Sequence, residues 1–464
     1  MVFSPLSSAS TSPDSHHPPE VLASLFPGET SLYPRAHVVL EYLQTFAHVH
    51  KLRPHIHCGV RVDAVHPLPG GKWSVTLSTG TTRTFDYLVI TTGRYRQPFV
   101  PPSLLVSAAL QRRLKARTAF HAAWFRSVAH NELKGKRVLL LGGGPSGIDI
   151  AIECAGACPQ VWWAAARLEL PTGWLPKHVT IRGRVMAMEE VSRPPTEGEV
   201  DGTSLLKVTW DNGQVENLDV DVIILATGYE LVYPFLSEDV LKSQSHAEGI
   251  FPFAHKEQDG DKTTSTQLTR TPQAVLPLIQ HIFPLSQVPS PTLAFIGLPW
   301  KLVPFPISEA QALVAERVFR VGAEASSDSD TIFNVAKERD TLQTRHDALV
   351  KEGGRDFAER LWHELSSGPE ADQQFAYRRH LLRLAIGKPQ LDEQLEQEMQ
   401  WAEELYDLKV VLRQRWREIE MKGGEATKIW LAGVGEGTRE DAMQSWMKLA
   451  RKLAGTGDVE EEGR

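Results

Sequence analysis

The stretch Val138 to Ile150, VLLLGGGPSGIDI, constrains this chain more than any other part of its 464 residues. Arg137 to Leu141 is a short apolar run of the length a central parallel strand needs, and Gly142, Gly144 and Gly147 follow it in the spacing G-x-G-x-x-G. Each glycine has its own physical reason. Gly142 permits a tight turn, Gly144 lets the backbone approach a pyrophosphate with no Cβ between them, and Gly147 lets the next helix pack close to the strand. Pro145 and Ser146 complete the cradle. A helix predicted from about Pro145 to Ala157 then aims its unpaired N–H groups and positive dipole end at the phosphates.

A lone G-x-G-x-x-G is weak evidence, and here the context supplies the rest. A second apolar strand is predicted at Val161 to Ala165, which completes a βαβ unit. Arg167 stands about 20 residues beyond the last glycine, where an NAD site carries an acidic residue for the ribose hydroxyls. A cation there suits a 2′-phosphate, so the expected dinucleotide is NADP(H). The plainer alternative is a phosphate-free turn with a surface arginine.

The formal net charge of −7 gives no basic footprint for nucleic acid, and no apolar run is long enough for a membrane span. The N-terminus lacks a signal-peptide pattern, so the default expectation is a cytoplasmic protein. Cys154 and Cys158, four apart on the expected helix, read as packing residues ahead of a metal or redox pair. His48, His50, His55, His57 and Cys58 crowd one region without a recognised ligand spacing, so no metal site is expected.

In chain order, residues 1–30 are rich in Ser, Pro and His, and disorder is expected there. A helix is predicted from Arg35 to His50, with Val38, Val39, Tyr42, Leu43 and Phe46 as its apolar stripe. Strands follow near His55 to Val65, Lys72 to Leu77, Thr82 to Phe85 and Tyr87 to Thr91. The phrase FDYLVITTG, ending at Thr92-Gly93, returns as DVIILATG, ending at Thr227-Gly228. The dinucleotide unit lies between the two, which suggests a nucleotide domain inserted in a host domain. A third strand ends at Gly297, and Ser308 is a candidate cap for a helix bearing Leu313, Val314, Val318 and Val321. Beyond a polar linker at Ser326 to Asp330 the pattern is charged and helical. Leu391, Leu395, Met399, Ala402 and Leu405 form one stripe of a helix that is acidic at first and basic from Lys409 to Arg417. Either it packs as an ordinary amphipathic helix or it forms a homodimer seam, although no strict heptad persists. Residues 458–464 read as a disordered end.

These phrases in this order resemble the flavin-containing monooxygenases, including their N-hydroxylating and Baeyer–Villiger relatives. The resemblance runs from about Leu32 to Val321. It rests on Leu40 to Phe46, Phe85 to Pro101, Val138 to Ala151, Val161 to Trp174, Asp221 to Leu236 and Leu293 to Gln311. Of the family's F-x-G-x-x-x-H-x-x-x-aromatic signature, His121 and Phe125 match, while Lys115 and Arg117 stand at the Phe and Gly positions. The fold implied is α/β, of the flavoprotein type with two dinucleotide-binding domains, plus a helical C-terminal extension. Its expected parts are a first FAD-domain portion at 31–130, a Rossmann-like NADP domain at 131–228, a second FAD-domain portion at 229–322 and the extension at 323–464. The family opens with its own G-x-G-x-x-G for FAD, then G-G-x-W and an active-site Asn. None of these is present, so this sequence reads as starting inside the FAD domain.

The flavin contacts implied by the resemblance are Val62, Val65, Thr92, Gly93, Thr227, Gly228 and the segment from Gly297 to Glu309. The function implied is transfer of one oxygen atom from O₂ to a small nucleophilic (N or S) or carbonyl substrate, at the expense of NADPH and through FAD. No protein side chain is singled out as catalytic; His121 reads as an acid or base, or equally as a packing residue. The alternative is a catalytically inactive NADP(H)-binding protein, a sensor or assembly subunit, since the FAD pyrophosphate loop is missing.

Overall fold

Arg137–Leu141 is a strand, and among the described residues it is the middle one of a five-stranded parallel sheet. The order is Ala119–His121, Val222–Leu225, Arg137–Leu141, Gln160–Ala164, Val179–Arg182. The chain turns back on itself between the second and third strands, so the glycine turn after Leu141 opens at the topological switch point. Alternation along the strand feeds two cores. Val138 and Leu140 pack with Ile150, Ala151, Cys154 and Trp163 on the helix side, and Leu139 and Leu141 pack with Met188, Leu206, Val208 and Trp210 on the other. Those last residues belong to an antiparallel meander of Val185–Ser192, Ser204–Trp210 and Val215–Leu218.

The computed structural model describes residues 32–33, 36–165, 175–192, 204–243, 267–288, 290–324, 332–365 and 372–456. The expected disordered ends, the linker at 326–330 and Arg167 lie outside them. By its contacts the chain divides into two units. One takes in residues 92–233 and 270–274; the other takes in the described residues before 92, between 234 and 269, and from 275 onward. The nucleotide unit opens at 92, ahead of the boundary expected at 131, and it includes the strand Ala119–His121, which pairs with Val222–Leu225.

In the other unit, the helix Ala36–Val49 forms, but its expected apolar stripe is corrected. Val38 is its only buried residue, and Leu43 is 44% exposed. The strand expected from His55 starts only at Val62, because Pro54 directs Arg53–His55 into a 3₁₀ turn. Val62–Pro67, Trp73–Leu77 and Thr82–Phe85 form an antiparallel meander. Leu88–Ile90 pairs in parallel with Leu293–Phe295.

The next helix, Pro304–Glu324, starts four residues before Ser308, with proline in its first turn in place of the expected serine cap. The acidic-then-basic helix is two helices, Glu393–Asp407 and Lys409–Glu420, interrupted at Leu408 (ψ −7°). Its basic residues therefore lie on a second helix and do not end the acidic one. Leu395 and Met399 of the stripe are buried within this one chain.

Candidate functional site

The glycine turn is built as its spacing demands. Gly142 has φ +121°, and a methyl group there would collide with the Ala226 carbonyl oxygen. A methyl at Gly147 would collide with the Gly142 carbonyl. At Gly144 nothing lies within 4 Å of where a Cβ would be. Two of the glycines thus serve packing, and the third faces open space where a phosphate has room. Gly144 is the residue before the helix Pro145–Ala155, whose N-terminus has no side-chain cap, so the N–H groups of Ser146 and Gly147, which follow Pro145, remain for an anion.

The turn is held from three sides. Gly142 N–H donates to the Ala164 carbonyl (2.8 Å), Ala226 N–H donates to the Leu141 carbonyl (2.7 Å), and the Trp163 indole N–H donates to the Gly142 carbonyl (2.9 Å). Sequence reasoning missed Trp163. Its position in the second strand of the βαβ unit, two residues after Val161 on the same face, is the only local signal it carries.

At the C-terminal end of the edge strand Ala119–His121, His121 is buried at 2% exposure. Its Nδ1 accepts the Ala123 N–H at 3.1 Å, which leaves the proton on Nε2. Burial lowers its pKa, opposed by the Gly228 backbone, so the imidazole is neutral at pH 7. Its ring lies edge-on to Tyr229 at 5.1 Å. The Thr227 hydroxyl donates to the Phe99 carbonyl at 2.6 Å, and Phe99 N–H donates to the Gly228 carbonyl at 2.9 Å.

The remaining expected contacts divide between backbone and core. Gly93 (φ +71°) and Gly228 (φ +91°) both belong to the nucleotide unit and have open space where a side chain would be. In the other unit, Gly297 (φ +82°) meets only the Ser308 hydroxyl at 3.9 Å. Val65 is buried in that unit's core, its N–H donating to the Phe235 carbonyl at 2.7 Å, while Val62 is half-buried at the strand's start. An open left-handed glycine suits close approach by a flat ring system, and Gly297, within its own unit, fits such a contact with a flavin. The sequence holds one phosphate cradle, and its residues fit a dinucleotide pyrophosphate.

The family model described as FMO-like, flavin-binding monooxygenase-like, matches residues 25–193. The chain is 27% identical over 302 residues to the thiol-specific monooxygenase of Saccharomyces cerevisiae, covering 63% of this chain and 61% of that protein. It is 26% identical over 310 residues to flavin-containing monooxygenase 3 of Rattus norvegicus, covering 52% and 54%. Thus it spans little more than half the length of these relatives. Among solved structures it is similar in fold to S-allyl-L-cysteine S-oxygenase from Allium sativum, with a TM-score of 0.55, 19% identity and coverage of 92% of this chain and 78% of that one. The fold is α/β, of the flavoprotein type with two dinucleotide-binding domains, followed by a helical C-terminal region.

Proposed function

Because this chain belongs to the flavin-containing monooxygenase family, we propose that it binds NADP(H) at the Gly142–Gly147 turn and acts as an NADPH- and FAD-dependent monooxygenase. The oxygen acceptor would be a small nucleophile at nitrogen or sulfur, or a carbonyl compound. The observation that carries this reading is the open cradle at Gly144, at the start of an uncapped helix and beside a switch point. Arg167 is proposed to recognise the 2′-phosphate.

When bound, FAD supplies the redox and oxygen chemistry. The protein's own residues hold the cofactors. The first-turn amides receive the NADP(H) pyrophosphate, and Trp163 fixes the carbonyl of Gly142 so that the turn does not adjust on binding. Within its own unit, Gly297 offers backbone for close ring contact. His121, neutral and held by Ala123, steadies the end of its strand beside Gly228.

The dinucleotide site itself is tested by titrating NADP⁺ and NAD⁺ into wild type and Gly144→Val. The expectation is tighter binding of NADP⁺ by wild type, and a loss of about a hundredfold in the variant at unchanged melting temperature. Equal binding by the variant would contradict the site.

A further inference from the structure

A chain of directed hydrogen bonds joins the C-terminal helices to the turn at Gly297. The Gly297 N–H, left without a strand partner by the left-handed turn, donates to Gln311 Oε1 at 2.9 Å. Gln311 lies on the helix Pro304–Glu324 and is fully buried, so its amide N–H needs an acceptor of its own. Its Nε2 donates to the Tyr377 hydroxyl at 2.9 Å, and that hydroxyl donates to the Gln280 carbonyl at 2.5 Å.

The sequence of donors fixes the Gln311 amide in one orientation. A flipped amide would turn Nε2 toward the Gly297 N–H, donor against donor, and leave its carbonyl facing Tyr377. The far end of the chain is equally constrained. Gln280 and His281 hold φ of 52° and 58°, a left-handed conformation that L side chains rarely adopt, and His281 Nδ1 lies 2.9 Å from His363 Nδ1. Burial raises the pKa of the Tyr377 phenol, so it stays protonated and remains a donor. All of these residues belong to one unit. Tyr377 lies past Val321, where the sequence resemblance stops.

We propose that Tyr377 and Gln311 are positioning residues for the Gly297 turn, through which the helix Asp372–Ile386 fixes the backbone that the flavin meets. This rests on the flavin reading above. Neither residue touches the reacting atoms. Their effect is to spare the turn any reorganisation on binding, which a looser amide would incur.

The test uses the full chain in wild-type, Gln311→Leu, Gln311→Glu and Tyr377→Phe forms. Hydrogen exchange at the Gly297 amide is measured without flavin, and each form is then titrated with FAD by flavin fluorescence. Gln311→Leu is expected to speed Gly297 exchange about tenfold, and Tyr377→Phe severalfold. Gln311→Glu still accepts from Gly297 but sets a buried carboxylate oxygen against the Tyr377 hydroxyl, so it is expected to fall between wild type and Gln311→Leu. FAD affinity is expected to fall in the same order, a pattern that general loss of stability would not produce. Unchanged Gly297 exchange in Gln311→Leu and Tyr377→Phe, or faster exchange with unchanged FAD affinity, would overturn the proposal and leave the flavin reading standing. A wild-type chain that takes up no FAD would overturn both, and it fails before any variant is compared.

Discussion

Three glycines a few residues apart do different work, and substitution separates them. Gly142→Ala and Gly147→Ala each drive a methyl group into backbone, so each is expected to destabilise the nucleotide unit by about 2–3 kcal/mol, read as a lower denaturation midpoint. Gly144→Val meets nothing within 4 Å at its Cβ and is expected to fold normally while losing the dinucleotide. Normal stability of Gly147→Ala would contradict the geometry of the turn. Arg167→Asp is expected to turn preference from NADP⁺ toward NAD⁺ by an order of magnitude or more, measured as the ratio of their dissociation constants. An unchanged ratio would remove its role.

The strand below this turn is held by charge as well as packing. Arg137 donates to both Asp221 carboxylate oxygens, from Nη2 at 2.8 Å and Nε at 3.0 Å, and also pairs with Asp219. Hydrogen bonds from Arg137 hold the Asp221 carboxyl below the usual carboxylate range. A lowered folded-state pKa adds stability above the ordinary value of 3.8, and that stability is lost as pH falls through the folded value. Asp221→Asn is therefore expected to cost about 1–2 kcal/mol at neutral pH. The gap from wild type should close as pH falls below the ordinary carboxylate value of 3.8 and through the lowered folded value, read by urea denaturation. A gap independent of pH would contradict the ion pair as its source.

Among the elements, those signalled by local chemistry were legible in the sequence. Arg137–Leu141 and the helix from Pro145 follow from an apolar run, glycine spacing and a proline, all within a few residues. Where a start depended on choosing between competing signals, the reading slipped. Ser308 looked like a cap, but Pro304 opens the helix. The break at Leu408 has no glycine or proline to announce it. The meander from Val185 to Leu218 carries no motif at all, and its partners are set by burial against the parallel sheet. The bonds from Gly297 to Tyr377 were beyond sequence reasoning, because Gln311 and Tyr377 stand 66 residues apart with nothing between to link them.

The apolar face of the C-terminal helices is used within the chain. Trp416 is fully buried with Leu412 and Ile419 against Leu449, Ala450 and Leu453. Trp416→Ala is expected to cost this region about 3–5 kcal/mol, seen as faster hydrogen exchange across Lys409–Glu420 and Arg439–Ala454. NADP⁺ affinity should be unchanged. A variant with exchange like wild type would mean that the cluster is not a core.

At the scale of the whole molecule, what unites the chain is its order. Of the two strands followed by Thr-Gly, Leu88–Ile90 precedes the nucleotide unit and Val222–Leu225 belongs to its sheet, and the host unit resumes after it. No described helix is long and apolar enough to cross a membrane. The chain spans 61% and 54% of the two curated relatives compared, so oxygen transfer by the whole protein remains the step to test directly. The decisive measurement is the visible absorption spectrum of the purified chain after incubation with FAD and removal of the excess, then after NADPH without air, then after air. A retained flavin spectrum that bleaches with NADPH and returns with oxygen is the expected result. A chain that binds NADPH but retains no flavin, or retains flavin that NADPH does not bleach, would contradict the monooxygenase reading.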